Sequence, residues 1–154
     1  MSPDVLKKET ETILGMMNIS FKEVVIVIDN DIRLTIISIR VPGNEEELFT
    51  ENHNILTRDL GTIIKQLLEK KYHFYKDITI DVNGNNRKFI EQAKQKAQIA
   101  VERVQFFDKP YEFGYLNSYE RMLIHSYLKN VPNIITQSEG EGKDRRLIIK
   151  KQTI

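Results

Sequence analysis

Apolar residues recur along the chain with two different periods. After Ser2-Pro3, Val5, Leu6, Ile13, Met16 and Met17 follow a helical repeat. Ser suits the N-cap there and Pro the first turn, while Gly15 predicts early fraying. Phe21 to Ile28 reads as a strand, Asp29-Asn30-Asp31 as a turn and Ile32 to Val41 as a second strand, which together make a hairpin. Leu48 to Lys71 is helical, as one segment or as two pieces broken around Glu51 to Asn54. Its stripe is Leu56, Leu60, Ile63, Ile64, Leu67 and Leu68. Asp77 to Val82 is a third strand. Asn83-Gly84-Asn85-Asn86 then carries turn residues and is the best boundary in the chain.

Beyond that boundary a long helix is expected from about Arg87 to Gln105, with Phe89, Ile90, Ala93, Ala97, Ala100, Val101 and Val104 inward. Pro110 closes the segment, and Tyr111 to Tyr115 is a candidate short strand. Ser118 can cap a helix over Tyr119 to Asn130. Strands near Asn133 to Ser138 and from Arg145 to Lys151 flank the loop Glu139-Gly140-Glu141-Gly142-Lys143-Asp144. The predicted class is α+β: a three-stranded sheet under helices over residues 1–83, then an antiparallel sheet with two helices over residues 84–154.

Composition narrows the chemistry. With 154 residues, 40% of them hydrophobic, there is material for one domain or two small ones. The absence of Cys excludes disulfides, thiol catalysis and Cys-ligated zinc or iron–sulfur sites. No apolar run is long enough for a membrane span, and the first residues hold no apolar core of a signal peptide. The expected setting is therefore soluble and cytoplasmic. The net charge of +1 conceals an asymmetry: residues 1–83 hold 10 Lys+Arg against 14 Asp+Glu (−4), and residues 84–154 hold 13 against 8 (+5). A basic half beside an acidic one points to a polyanion-binding part joined to a part with another task.

Enzyme motifs are missing. His53, His73 and His125 lack metal-ligand spacing, there is no Gly-x-Ser-x-Gly, and Gly142-Lys143 is followed by Asp144, which would repel phosphate. Asp77 and Asp81 could face one way on their strand, though two solvent-side charges are the commoner outcome. No catalytic residue, metal or cofactor is expected. The informative stretch is Leu116 to His125. Arg121 and His125 stand four apart on one helix face, and Lys129 extends the row. A guanidinium, an imidazole and an ammonium in line can hold successive phosphates, and His can also stack on a base. Lys143, Arg145, Arg146, Lys150 and Lys151 add five cations in nine residues, and Gly140 and Gly142 would let backbone amides approach a phosphate. Tyr115 or Tyr119 could be a stacking platform, with core packing the commoner role for either.

At these residues the chain resembles the bacterial Jag (SpoIIIJ-associated) family, which pairs a KH domain with a domain named for its Arg-x-x-x-His motif. Asp77 to Val82 with Asn83-Gly84 and Arg87 is similar to the family's junction. Leu116-Asn117-Ser118-Tyr119-Glu120-Arg121 with His125 is similar to its motif helix, and Thr136 to Gly142 with Arg145-Arg146 to its last hairpin. The resemblance implies a type II KH-like αββααβ unit followed by the Arg-x-x-x-His ("R-three-H") unit. It also implies a regulatory protein that binds single-stranded nucleic acid, RNA rather than DNA. Arg121, His125, Lys129, Lys143, Arg145 and Arg146 are the expected contact residues. A KH-domain protein partner or a homodimer is also implied, and a protein-interaction module with weak or no nucleic-acid binding is the alternative. Two departures accompany it. Thr50-Glu51-Asn52-His53 stands where a KH domain carries Gly-x-x-Gly, so ordinary clamping of a nucleotide backbone is expected to be lost. The N-terminal module and linker of many relatives are also expected to be lacking.

Overall fold

The computed structural model describes residues 1–153, apart from the side chains at 52 and 53. It divides into two compact units, Met1–Arg87 and Lys88–Ile154, four residues beyond the Asn83 turn. Both are α+β, and each holds one three-stranded sheet.

The first unit runs α1 (Pro3–Met16), β1 (Glu23–Asp29), β2 (Leu34–Arg40), α2 (Gly43–Tyr72) and β3 (Ile78–Val82). The sheet order is β1-β2-β3, with β1 antiparallel and β3 parallel to β2. Helix and sheet bury one shared core: Leu6, Ile13 and Leu14 from α1, Leu60, Ile64 and Leu68 from α2, and Val24, Ile37, Ile39, Ile80 and Val82 from the strands. Because a parallel pair needs a crossover, α2 must carry the chain from the end of β2 back to the start of β3.

Helix α2 begins at Gly43, five residues before the hydrophobic stripe predicts it, because the acidic side chains Glu45 and Glu46 suit a helix N-terminus. It is also not straight. Asn54 takes φ 61 within it, and the Thr57 hydroxyl donates to the Phe49 carbonyl at 3.1 Å. Residues eight apart on a straight helix are about 12 Å apart along the axis, so the helix is sharply broken at Asn54. The expected break around Glu51 to Asn54 is therefore real, and Asn, which tolerates the left-handed region better than most residues, occupies its tightest point. The replacement of Gly-x-x-Gly by Thr50-Glu51-Asn52-His53 falls partly outside the described residues.

Strand β3 ends in the predicted turn: Asn83 (φ 51) and Gly84 (φ 85) are both left-handed, and the Asn83 side chain accepts from the Val41 amide at 3.0 Å. Asp81 corrects the expectation of a solvent-side charge. It is fully buried, accepts from the Ser38 hydroxyl at 2.8 Å, and accepts from the Arg87 amide at 3.0 Å in the first turn of the next helix. A carboxylate satisfying that exposed N–H is a helix cap. Its neighbour in the pattern, Asp77, is exposed and lies 3.7 Å from Lys65.

The second unit takes most of α3 (Asn85–Phe107), then β4 (Tyr111–Glu112), α4 (Ser118–Leu128), β5 (Ile134–Glu139), a 3-10 turn (Gly142–Asp144) and β6 (Arg146–Lys151). Its sheet is antiparallel throughout, in the order β4-β6-β5. Buried positions come from α3 (Ile90, Ala93, Ala97, Ala100, Val101, Val104), the following loop (Phe113, Leu116), α4 (Leu123, Ile124, Leu128) and β6 (Leu147, Ile149). The candidate strand Tyr111 to Tyr115 shrinks to two residues, since Phe113 and Leu116 turn inward with Gly114 between them. Among the described residues no helix is long and apolar enough to cross a membrane.

Candidate nucleic-acid interface

The motif row sits on α4, and the start of that helix is set one residue earlier than the sequence suggests. Asn117, not Ser118, is the N-cap, its side chain accepting from the Glu120 amide at 2.8 Å. Asn117 to Glu120 has capping-box spacing, the signal that could have identified it. The Glu120 side chain does not close the box. It is buried and pairs with the Lys96 ammonium of α3, joining the two helices. Freed from capping, the Ser118 hydroxyl accepts instead from the Arg121 guanidinium at 3.4 Å, and the Leu116 carbonyl accepts a second guanidinium N–H at 3.4 Å. Both bonds are long, so they orient Arg121 loosely and leave the remaining N–H groups for a ligand.

One turn further on, His125 is half-buried, and its Nδ1 lies 2.7 Å from the Thr136 hydroxyl on β5. Burial, and then repulsion by the Lys129 ammonium, hold the imidazole below its ordinary value of 6.5. The ring is therefore neutral at pH 7. The tautomer of the ring sets the direction of this bond: a bare Nδ1 accepts from the Thr136 O–H, and a protonated Nδ1 donates to the Thr136 oxygen. Thr136 is a residue that sequence reasoning misses, because nothing local links it to His125.

Strand register decides which of the hairpin cations share this surface. On β5 and β6, Thr136 pairs with Ile149, Ser138 with Leu147 and Glu139 with Arg146. Directly opposed residues share a face and neighbours alternate. Thr136 and Ser138 thus lie on the α4 side with the buried Leu147 and Ile149, and Arg146 lies on the other side. Its guanidinium is further tied to the carbonyls of Lys143 at 2.7 Å and Arg145 at 3.2 Å. Arg146 braces the loop and is not brought to the Arg121–His125 row.

Lys143 and Arg145 are placed differently: both are exposed, in and just after the 3-10 turn that separates β5 from β6. Gly140 shapes this loop for a reason other than ligand access. At φ 82, a Cβ there would lie 2.8 Å from the Asp144 carbonyl oxygen, so the loop closes on itself only with glycine. Among the described residues no carboxylate lies within ion-pair distance of Arg121, Lys129, Lys143 or Arg145, although Lys96, Lys151 and Lys94 in the same unit each have one.

Residues 88–151 match the family model of the R-three-H domain. The second unit carries an R-three-H domain. Such domains generally bind single-stranded nucleic acid, and in this one the Arg-x-x-x-His pair is Arg121 and His125. The match begins one residue after the first unit ends and closes on the last residue of β6. A comparison with curated proteins finds no match to the chain.

Proposed function

We propose that the protein is a non-enzymatic regulator that binds single-stranded RNA through its R-three-H domain. The observation that carries this reading is the unpaired cationic row. Arg121 and Lys129 flank His125, whose pKa burial and the Lys129 ammonium hold below 6.5, and Lys143 and Arg145 stand exposed between β5 and β6 of the same unit. A row of this kind suits the backbone of a flexible strand, with phosphates held by the cations and an acceptor of the base or sugar met by the imidazole. Preference for RNA over DNA is supported by the resemblance of the whole chain to the Jag family. On the same ground the first unit is read as a type II KH-like scaffold, its helix–strand–strand–helix–strand order matching once α2 is counted as two helices broken at Asn54. Glu45, Glu46 and Glu47 repel phosphate there, so this unit does not clamp a strand.

Titrating labelled single-stranded RNA, single-stranded DNA and duplex RNA with the full chain tests the reading. With about three phosphates neutralised at roughly 0.7 each, log K should fall against log salt with a slope near −2. Binding that ignores salt, or none at all, would overturn it. Strand cleavage in added magnesium would overturn the non-enzymatic assignment.

A second reading has its own observation. β1 is an edge strand, and Val25 (42% exposed) and Ile28 (55%) stand open on it. An apolar edge of this kind pairs readily with another strand, which supports a KH-like partner chain or a second copy at the first unit. Light scattering of the wild type and of Val25→Lys distinguishes a dimer from a monomer.

A further inference from the structure

We infer that Tyr115 is the base-stacking residue of this interface and the source of its preference for unpaired strands; this rests on the reading of the R-three-H domain given above. The other tyrosines of the second unit are engaged. Tyr119 stacks on Phe89 with ring centroids 5.7 Å apart, Tyr111 packs edge-on against Phe113 and under Arg103, and the Tyr127 hydroxyl donates to Gln98. Tyr115 has no ring contact, hydrogen bond or ion pair among the described residues, and 66% of it is exposed.

Its exposure is imposed from both sides. Phe113 (4% exposed) and Leu116 (5%) are anchored in the core, so the short segment between them must turn its remaining large side chain to solvent. The same segment holds the interface cation: the Leu116 carbonyl, one residue from Tyr115, accepts from Arg121 at 3.4 Å. An exposed aromatic ring thus lies one residue along the chain from a carbonyl that holds the phosphate-binding group, the combination of ring and cation that a sequence-tolerant single-strand site requires. The exposed pair Phe106 and Phe107 does not fit as well, because those rings are packed edge-on against each other at 4.9 Å.

Stacking on a protein ring requires a base whose face is free, and bases inside a duplex already cover one another. Tyr115 should therefore add affinity for single strands and none for duplexes. Tyr115→Ala, Tyr115→Phe and Tyr115→Trp are compared in the full chain, using a short labelled oligouridylate and a duplex RNA of the same length, with circular dichroism to confirm folding. Tyr115→Ala should weaken oligouridylate binding about tenfold, leave the salt slope unchanged and leave duplex binding unchanged. Tyr115→Phe should bind as wild type. The natural chain has no Trp, so Tyr115→Trp introduces a single reporter whose fluorescence should be quenched on binding. If wild type binds but Tyr115→Ala binds equally and the Trp is not quenched, the stacking role is overturned and the R-three-H reading stands. A shallower salt slope in Tyr115→Ala also overturns it, since the residue would then act by holding Arg121. If wild type binds no oligonucleotide, the underlying reading fails and this inference with it.

Discussion

In the first unit, about half of the long cationic side chains are tied to carboxylates, among them Lys71 to Glu9, Lys65 to Asp77, Arg40 to Glu23 and Lys7 to Glu11. The closest of these is also a helix–helix staple. Glu9 on α1 accepts from the Lys71 ammonium at 2.6 Å and from the Tyr72 hydroxyl at 2.5 Å on α2. Those bonds, Lys71 first, hold its carboxyl below the usual 4.5. The second unit uses a similar stock of residues and a sheet of equal strand number. There Arg121, Lys129, Lys143 and Arg145 have no carboxylate within ion-pair distance among the described residues, while Lys96, between two helices, is neutralised by Glu120. The difference teaches that net charge is a poor guide to the interface. What distinguishes the two units is which cations the fold leaves unpaired and what stands beside them.

The contrast breaks most sharply at Arg121. Arg121→Ala should weaken single-strand binding roughly tenfold to a hundredfold, the range for losing a charged hydrogen bond, and flatten the salt slope by about 0.7. Fluorescence anisotropy at several salt concentrations would show it, and an unchanged slope would remove Arg121 from the phosphate contacts. Gly140→Ala comes next. A left-handed residue given a Cβ against the Asp144 carbonyl should cost about 1–2 kcal/mol, seen as a melting temperature lower by several degrees. Binding should weaken with it as Lys143 and Arg145 lose their placement.

A smaller effect is expected from pH. The sequence alone would have binding tighten as pH falls through about 6.5, the ordinary histidine value. Burial and Lys129 lower that value, so binding should be level above pH 6.5 and tighten only further down. Stability moves the other way. The unfolded chain takes up the proton first, so stability should decline as pH drops below 6.5 toward the folded value. Thr136→Val, which frees Nδ1, should reduce binding about fivefold, near 1 kcal/mol. Histidine nitrogen shifts by NMR would report the change of tautomer directly. The smallest effect on binding belongs to the first unit. Glu9→Gln should leave RNA affinity unaltered while lowering the melting temperature at neutral pH. That difference should fade as the pH falls below 4.5 through the folded value of Glu9, where the wild-type carboxylate also becomes neutral.

Much of the fold is legible in the sequence. Every predicted strand and helix exists, with ends shifted by a few residues, because the β-branched run Val24 to Ile28 is short and bounded by a turn and the Ala-rich face of α3 repeats at the helical period. The ends are less legible. Helix α2 starts early on its acidic residues, and α4 starts one residue early because Asn117 caps it and leaves Ser118 to Arg121. The burial of Asp81 is hidden because alternation on a strand says which side a residue faces and not whether a helix N-terminus waits there.

For the site, sequence spacing determined that Arg121, His125 and Lys129 form one row, since a helix of known pitch allows no other arrangement. Only the tertiary structure decided what joins that row. The pairing of β5 with β6 turns Arg146 to the opposite face, and the packing of β5 on α4 brings Thr136 to His125. The anchoring of Phe113 and Leu116 leaves Tyr115 outside while Tyr119 is covered. These are contacts between residues distant in the chain, fixed by strand register and core burial, and neither has a local signature in the sequence.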